Sequence, residues 1–585
     1  MKKTFVSIIL VLLVFATIIP AAALTFPEDY VIGDVNKDGK VSSIDYILLK
    51  KFFQGISLDS AFEISSDVNN DGSVTSADYL IVKSIFGGND IVLTYPKRLE
   101  KQSEINEAST DFNYEVSGAI NNDMIFQRYK YISVYGTSDA VGRAVYATLG
   151  NETRYGIVDS DGHFEILLNA RKENTKPETL YVYNKAEGID GGKKFTGIMI
   201  GDIWIIAGQS NAQVSLGGTL VANPEFENTI NYQQNIRMYT QWYWDCTDYY
   251  VYDAKTDSFV TQNGLMLSKG TPQDNTPDGT KWNTNTASNA KGFSAVGYYF
   301  AKKLADNTNV PIGIIQCVAG GAAIHNFMST EGFDSSYVKG ATFFKDNDVY
   351  NTLMHPFSKT NIKGMLFYQG ESNCDSASTY ASDLKDFVGQ MRNVWGSDIE
   401  FYNVQLTSHG SAPSWGGLSD VRFAQYKAGS MIENYNIVTS MDYGYSSIDT
   451  DWAHPKTKKH VGDRLAYIAL SKIYAPDKFS LEYYGCPEVD HIERDGTYAY
   501  IYFKNFGEGL KSTLGTKSVK GFQNYVTKAD LSAEIISRDC VKINLNTSAK
   551  VSLCYGYGPQ SDYTTDTLQN SNGIGALAFN LTVTR

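Results

Sequence analysis

Four distant stretches of this chain hold residue types that perform acyl transfer when brought together. The apolar run Ile203-Trp204-Ile205-Ile206-Ala207 leads straight into Gly208-Gln209-Ser210-Asn211. A small residue ahead of Ser210 permits a tight strand-to-helix turn. Such a turn leaves a hydroxyl at a sheet's rim beside backbone N–H groups, as a nucleophilic serine requires, although G-x-S-x-G is not spelled out. Read alone, a serine capping a helix is the commoner case. Val318-Ala319-Gly320-Gly321-Ala322-Ala323 sets adjacent glycines after a second apolar run. Glycines let backbone approach a ligand and point N–H groups at an oxyanion; a plain loop is the competing reading. Tyr368-Gln369-Gly370-Glu371-Ser372-Asn373 puts a row of amides and an acid after a third run, which is costly in a core unless it serves a purpose. Asn373 offers an amide N–H to an oxyanion, with Gln209, Gln369 and Glu371 as supporting polar groups. Asp451-Trp452-Ala453-His454 lies before a helical pattern. An acid three residues ahead of a histidine can hold one ring nitrogen while the other takes the serine proton. Asp449 and Asp442 are nearby alternatives for that acid, and Glu371 is a further one.

A second chemistry is written twice. Gly33 to Asp45 returns as Ser66 to Asp78, offset by 33 residues. Each copy has oxygen-bearing groups at loop positions 1, 3, 5, 9 and 12, a backbone carbonyl at 7 and glycine at 6, the arithmetic of a calcium loop. The first set is Asp34, Asn36, Asp38, Lys40, Ser42 and Asp45. The second is Asp67, Asn69, Asp71, Ser73, Thr75 and Asp78. A helical pattern follows each loop, at 46–53 and 79–86, and no convincing helix precedes either. Half a hand cannot bury its apolar face, so the two copies are expected to pack on each other.

The elements that must position the first set follow from hydropathy. Short, wholly apolar runs at 203–207, 310–315 and 364–368 alternate with helical patterns such as 296–304, which predicts a parallel α/β sheet over about 198–475. Chemistry on such a sheet sits at the carboxyl ends of its strands. Residues 106–195 and 480–585 read instead as short alternating β runs broken by turns, sandwich-like in character. Residues 89–105 read as a linker.

The order of the motifs resembles the SGNH hydrolases. The pairing of Gly201-Asp202-Ile203-Trp204 and Gly208-Gln209-Ser210-Asn211 with Tyr368-Gln369-Gly370-Glu371-Ser372-Asn373 and His454-Pro455 resembles the sialate O-acetylesterases and related acetylxylan esterases. Asn122 to Arg128 also looks like that family's leading β domain. Two departures stand: the glycine loop reads Gly320 to Phe327 where the family has an acid and a Trp further along, and the acid partner of the histidine varies among relatives. The resemblance implies a multidomain chain with a flavodoxin-like, three-layer catalytic domain. It implies Ser210, His454 and Asp451 as the triad, and Ser210, Gly320, Gly321 and Asn373 as oxyanion donors. No cofactor enters that catalysis.

Residues 31–88 resemble a type I dockerin of the cellulosome, a small all-α module with two structural calcium ions. The resemblance implies a cohesin on a scaffold protein as partner. It places the recognition face on Ser43, Ile44, Lys50 and Lys51 in one copy and on Ser76, Ala77 and Lys83 in the other. The copies differ, so two equivalent binding orientations are not expected.

The 585 residues carry 51 basic against 64 acidic side chains, a formal charge of −13, which disfavours nucleic acid and anionic membrane surfaces. Lys2 and Lys3, the apolar Phe5 to Ile19 and the small residues Ala21 to Ala23 read as a secretory signal peptide over 1–23. No later apolar run is long enough to insert in a membrane. Six cysteines without C-x-x-C spacing select neither a metal site nor a disulfide pattern. The expectation is a secreted, scaffold-borne esterase acting on acetylated carbohydrate, xylan in particular. A sialate O-acetylesterase, a non-catalytic sugar-binding protein and a glycoside hydrolase using Glu371 are the alternatives.

Overall fold

The structure is a computed structural model. It describes residues 33–36, 42–52, 66, 68, 76–86, 99, 102–103, 105, 110–222, 224, 230, 233–241, 248–253, 258–263, 271–329, 346–408, 417–443, 454–455, 457–558 and 567–584. The expected signal peptide at 1–23, most of the expected linker, and Asp449 and Asp451 lie outside these residues. The chain forms two compact units, 1–98 and 99–585.

In the first unit, α1 (Ser43–Phe52) and α2 (Ser76–Phe86) are the helices expected after each loop. Leu49 and Val82 are fully buried between them, with Val35 and Val68 from the loops beneath. Tyr46 stacks on Tyr79, one repeat further on, with ring centroids 4.8 Å apart. The two copies therefore bury each other's apolar faces, as half-hands must.

The second unit is mixed α/β. Its central sheet uses β1 (Lys193–Gly208), β2 (Ile236–Thr240), β3 (Lys281–Thr284), β4 (Ile312–Val318), β5 (Gly364–Tyr368), β6 (Glu400–Gln405) and β7 (Tyr435–Thr439), in the spatial order β3-β2-β4-β1-β5-β6-β7. All neighbours are parallel except β3 with β2. β2, β4, β5 and β6 are largely or wholly buried, which explains the unbroken apolar runs, whereas the edge strand β7 is fully buried only at Val438 and Thr439. Alternate residues point to opposite faces. Trp204 packs on Phe300 of α4 (Ala295–Ala305), centroids 4.9 Å apart. Phe367, level with Ala207, packs from the other parity on Phe387 of α5 (Tyr380–Trp395), at 4.6 Å. Helices therefore cover both faces.

The first β region is continuous with this sheet. Residues Lys193 to Ile200 of β1 pair with Asn174–Asn184, and Met199 to Gly201 with Ile125–Gln127. The same strand then enters the central sheet at Asp202, beside β4. The stretch between 195 and 198, where the hydropathy rhythm changes, lies inside one 16-residue strand, near its start. Buried Arg128 closes the junction, with Asp202 and Glu173 each at 3.0 Å.

The C-terminal β region has its own core, including Ile501, Phe503, Val541, Ile543, Leu553 and Phe579, in a five-stranded and a three-stranded antiparallel sheet. It is held to α6 (Leu418–Ala428) by Arg422, which is fully buried and donates to the carbonyls of Thr407, Gly556 and Gly558 and to Ser419 Oγ. With these neutral acceptors around it, burial pushes the guanidinium down to about 10. Cys317, Cys374, Cys486, Cys540 and Cys554 are free thiols. Among the described residues no helix is long and apolar enough to cross a membrane.

Candidate active site

β1 is the strand at which the sheet's winding reverses: β4 and β2 lie on one side of it, β5, β6 and β7 on the other. Ligands bind such parallel sheets in the crevice outside the strands' carboxyl ends at that point. Gly208 ends β1 level with Val318 at the end of β4 and Tyr368 at the end of β5. The serine turn, the glycine loop and the amide-acid row therefore leave three adjacent strands at one height.

The turn after β1 is dictated by close packing. Gly208 has φ +140°, and a Cβ there would collide with the Tyr368 carbonyl. Its own carbonyl accepts from Ala319 N at 2.9 Å, and Gln209 N donates to Tyr368 O at 3.2 Å. The chain then enters α3 (Ser210–Gln213) with Ser210 as its first residue. Ser210 is half-buried, and its hydroxyl has no hydrogen-bond partner among the described residues. Gly320 and Gly321 are also half-buried. Neither backbone N–H is spent on a hydrogen bond among the described residues, and Gly321 has φ +79°.

Beneath the rim lies a layer of locked amides. Gln209 Oε1 accepts from Gln369 Nε2 (3.2 Å), Gly370 N (3.3 Å) and Ser372 N (3.1 Å). Gln369 Nε2 also reaches Ala322 O (3.2 Å) and Asn373 Oδ1 (2.8 Å), while Tyr380 OH donates to Gln369 Oε1 at 2.8 Å. Asn373 is fully buried. Its Oδ1 also accepts from Ile324 N (3.0 Å) and its Nδ2 gives one proton to Ser376 Oγ (3.1 Å), leaving the second uncommitted. The structure thus brings Gln209, Gln369, Glu371 and Asn373 together around the loop of Gly320 and Gly321.

Glu371 is 4 % exposed. Its Oε1 accepts from Asn211 Nδ2 at 2.6 Å, and Asn211 Oδ1 accepts from buried Lys458 Nζ at 2.6 Å. Oε2 has no hydrogen-bond partner among the described residues. Burial pushes the carboxyl up; the Asn211 hydrogen bond and the attraction of His454 and Lys458 pull it back. His454 is half-buried just ahead of α7 (Lys459–Ala469), which packs against α4 and β7.

Asp442 is not available to orient that histidine. Arg464 takes both its carboxylate oxygens, at 2.7 and 2.6 Å. Two site residues escaped sequence reasoning. Asn211 had its place beside Ser210 as a signal. Lys458 had none, because Lys456, Lys458 and Lys459 read as an ordinary solvated helix start.

In the first unit, Asp45 is fully buried. Its Oδ1 accepts from Val35 N (2.7 Å) and Asn36 N (3.0 Å), and its Oδ2 from Ser42 N (2.7 Å) and Ser42 Oγ (2.9 Å). Asp78, also fully buried, repeats the first of these by accepting from Val68 N at 2.7 Å. A buried carboxylate closing a loop of oxygen ligands fits a hard cation. Asp38, Lys40, Asp67, Asn69, Asp71, Ser73 and Thr75 lie outside the described residues. Ser43, Ile44, Lys50 and Lys83 are exposed and Lys51 is half-buried; Ser76 and Ala77 open α2.

Residues 200–471 match the family described as carbohydrate esterase, sialic acid-specific acetylesterase. Residues 32–86 match the type I dockerin domain, a generally calcium-binding module. Human sialate O-acetylesterase is 24 % identical over 411 residues, covering 64 % of this chain and 74 % of the relative. The mouse protein of the same name is 22 % identical over 441 residues, covering 64 % and 76 %. A carbohydrate acetylesterase from Xanthomonas citri has the same fold, with TM-score 0.65 and 23 % identity, over 80 % of this chain and 99 % of that one. The chain therefore carries a carboxylic-ester hydrolase domain of the carbohydrate esterase kind together with a type I dockerin.

Proposed function

We propose that this protein is a secreted, cellulosome-borne acetylesterase that removes O-acetyl groups from plant cell-wall carbohydrate, with acetylated xylan as substrate. The observation that carries the reading is the meeting of a serine hydroxyl and two glycine N–H groups, none of them hydrogen-bonded among the described residues, with an amide-lined turn at the ends of three adjacent strands. The catalytic domain, 198–475, is on this reading an SGNH, flavodoxin-like three-layer fold between sandwich-like regions at 106–195 and 480–585. The all-α dockerin at 31–88 follows a signal peptide at 1–23 that exports the chain, and 89–105 is the linker.

His454 takes the Ser210 proton as the oxygen attacks the acetyl carbonyl, and Asp451 holds the imidazole and stabilises its cation. Negative charge gathers on the carbonyl oxygen, where Ser210 N, Gly320 or Gly321 N and Asn373 Nδ2 donate. Each donor in such a site is worth about 3 kcal/mol. The intermediate collapses, His454 returns its proton to the departing sugar oxygen, and Ser210 keeps the acetyl group. Water, deprotonated by His454, then releases acetate and restores Ser210.

Two calcium ions would be held by the oxygen groups of Asp34 to Asp45 and Asp67 to Asp78. Their role is structural, and Ser43, Ile44, Lys50, Lys51, Ser76, Ala77 and Lys83 face the cohesin. Acetate release from acetylated xylan is the test. Ser210→Ala is expected to lower kcat/KM by about 10⁴-fold or more with the fold intact. Near-full activity in that variant would refute the nucleophile. The second reading, an O-acetylated sialic acid as substrate, is supported by the mammalian relatives' names, and parallel assays on the two substrates separate them.

A further inference from the structure

The polar chain Lys458–Asn211–Glu371 joins three pieces that must keep register for catalysis. Asn211 follows the serine, Glu371 opens the turn that carries Asn373, and Lys458 lies four residues after His454. Both links are 2.6 Å long. All three side chains are nearly closed to solvent, at 1 % for Asn211 and Lys458 and 4 % for Glu371. A carboxylate so buried is costly unless it is paired. Here the lysine reaches it through an amide, and Oε2 is left without a hydrogen bond among the described residues.

An arrangement that served only packing would do better with apolar side chains, or with the cation directly on the acid. What this one achieves is a fixed negative charge near His454 that is not cancelled by contact. The titratable groups facing Glu371 are His454 and Lys458 from the α7 side, Tyr368 from β5, Tyr380 from α5 and Cys374 from its own turn. Tyr368, Tyr380 and Cys374 are all raised, chiefly by burial and further by Glu371 itself, so they stay neutral. His454 and Lys458 are the cationic partners within its field.

We propose that Lys458–Asn211–Glu371 is a positioning device of the esterase site, in which Glu371 supplies an anion that steadies the His454 imidazolium while Asn211 and Lys458 fix that anion against the serine turn. The proposal rests on the roles of Ser210 and His454 given above. It makes Glu371, Asn211 and Lys458 positioning residues, since none has to touch the substrate. It also gives the histidine a second anion, in addition to Asp451.

The test is the pH profile of kcat/KM for p-nitrophenyl acetate with the full chain. Glu371→Gln keeps an acceptor for Asn211 and removes only the charge. Without that anion the imidazolium is less favoured, so the acidic limb is expected to move to lower pH by about one unit, with kcat reduced about tenfold or more. Lys458→Met removes a cation near the same ring, so its limb should move the opposite way. The double variant should return towards the wild-type position. A limb unmoved in Glu371→Gln, with only the thermal midpoint lowered, would make Glu371 a packing residue and overturn the proposal. Equal shifts of the same sign in both single variants would also overturn it. Ser210→Ala run alongside separates the two readings. If it stays active the nucleophile is wrong, whereas if it is dead and the Glu371→Gln limb is unmoved only this inference falls.

Discussion

The two chemistries of this chain are built on opposite plans. On the proposed reading each calcium loop would collect its ligands from twelve consecutive residues, and its closing carboxylate reaches back only ten positions to bond Val35 or Val68. The esterase rim draws on strand ends scattered along the chain, and its Lys458–Asn211 contact spans 247 positions. A local plan tolerates being copied, and here it occurs twice. A distributed plan depends on the sheet to hold its height, so it fails when any one strand end shifts. The first should respond to removal of an ion, the second to changes of less than a side chain far from the reacting atoms.

The sharpest way to break the contrast is to withdraw calcium. Metal binding by such loops is folding free energy. Excess chelator is therefore expected to melt the dockerin helices and abolish cohesin binding outright, while kcat/KM for acetyl esters stays within about twofold of the holo protein. Circular dichroism, scaffold pull-down and acetate release, measured on one sample, check all three. A parallel fall in esterase activity would mean the two units are not independent.

Gly208→Ala should be next in size. The added methyl meets the Tyr368 carbonyl at a backbone angle of +140°, so the end of β1 must move away from β5. Strain of this kind costs about 1–3 kcal/mol. A shift of roughly an ångström at a nucleophile costs about 10²-fold in rate. A large loss of kcat with a small loss of stability is therefore expected, read by single-turnover kinetics beside a thermal melt.

Asp442→Asn separates an acid that holds the fold from one that serves the base. Asp442 is clasped by both nitrogens of Arg464, itself buried. Leaving that guanidinium without its anion is expected to cost about 3 kcal/mol of stability. The acidic limb of the pH profile should stay where it is.

These residues also mark what the sequence makes legible. Strand ends were readable because a run such as 364–368 is wholly apolar and its successor wholly polar, a break that only a sheet rim explains. Gly208 was readable as a tight turn, but not the carbonyl across from it, since Tyr368 is 160 positions away. Asp442 looked available because Arg464 lies a helix further on. Lys458 sat among other lysines, and nothing local distinguishes a buried cation from a solvated one. The change of rhythm near 195 was real, yet a backbone can pass from one sheet into another without a break, as β1 does. Composition registers the new surroundings and not the continuity.

The smallest effect belongs to the repeated unit and tests how far duplication goes. Loop positions 10 and 11 are Ser43-Ile44 in one copy and Ser76-Ala77 in the other. Ile44 is 51 % exposed, so half of its apolar surface is still available to a partner. Burying about that much is worth roughly 1 kcal/mol, or about fivefold in Kd. If the cohesin prefers the first face, Ile44→Ala should weaken binding by about that factor, measured by calorimetry in excess calcium. The reverse change, Ala77→Ile, should strengthen binding through the second face by a similar amount. An unchanged Kd in both variants would mean that the partner reads only the basic and hydroxyl groups, and that the two copies are equivalent in use despite their difference in sequence.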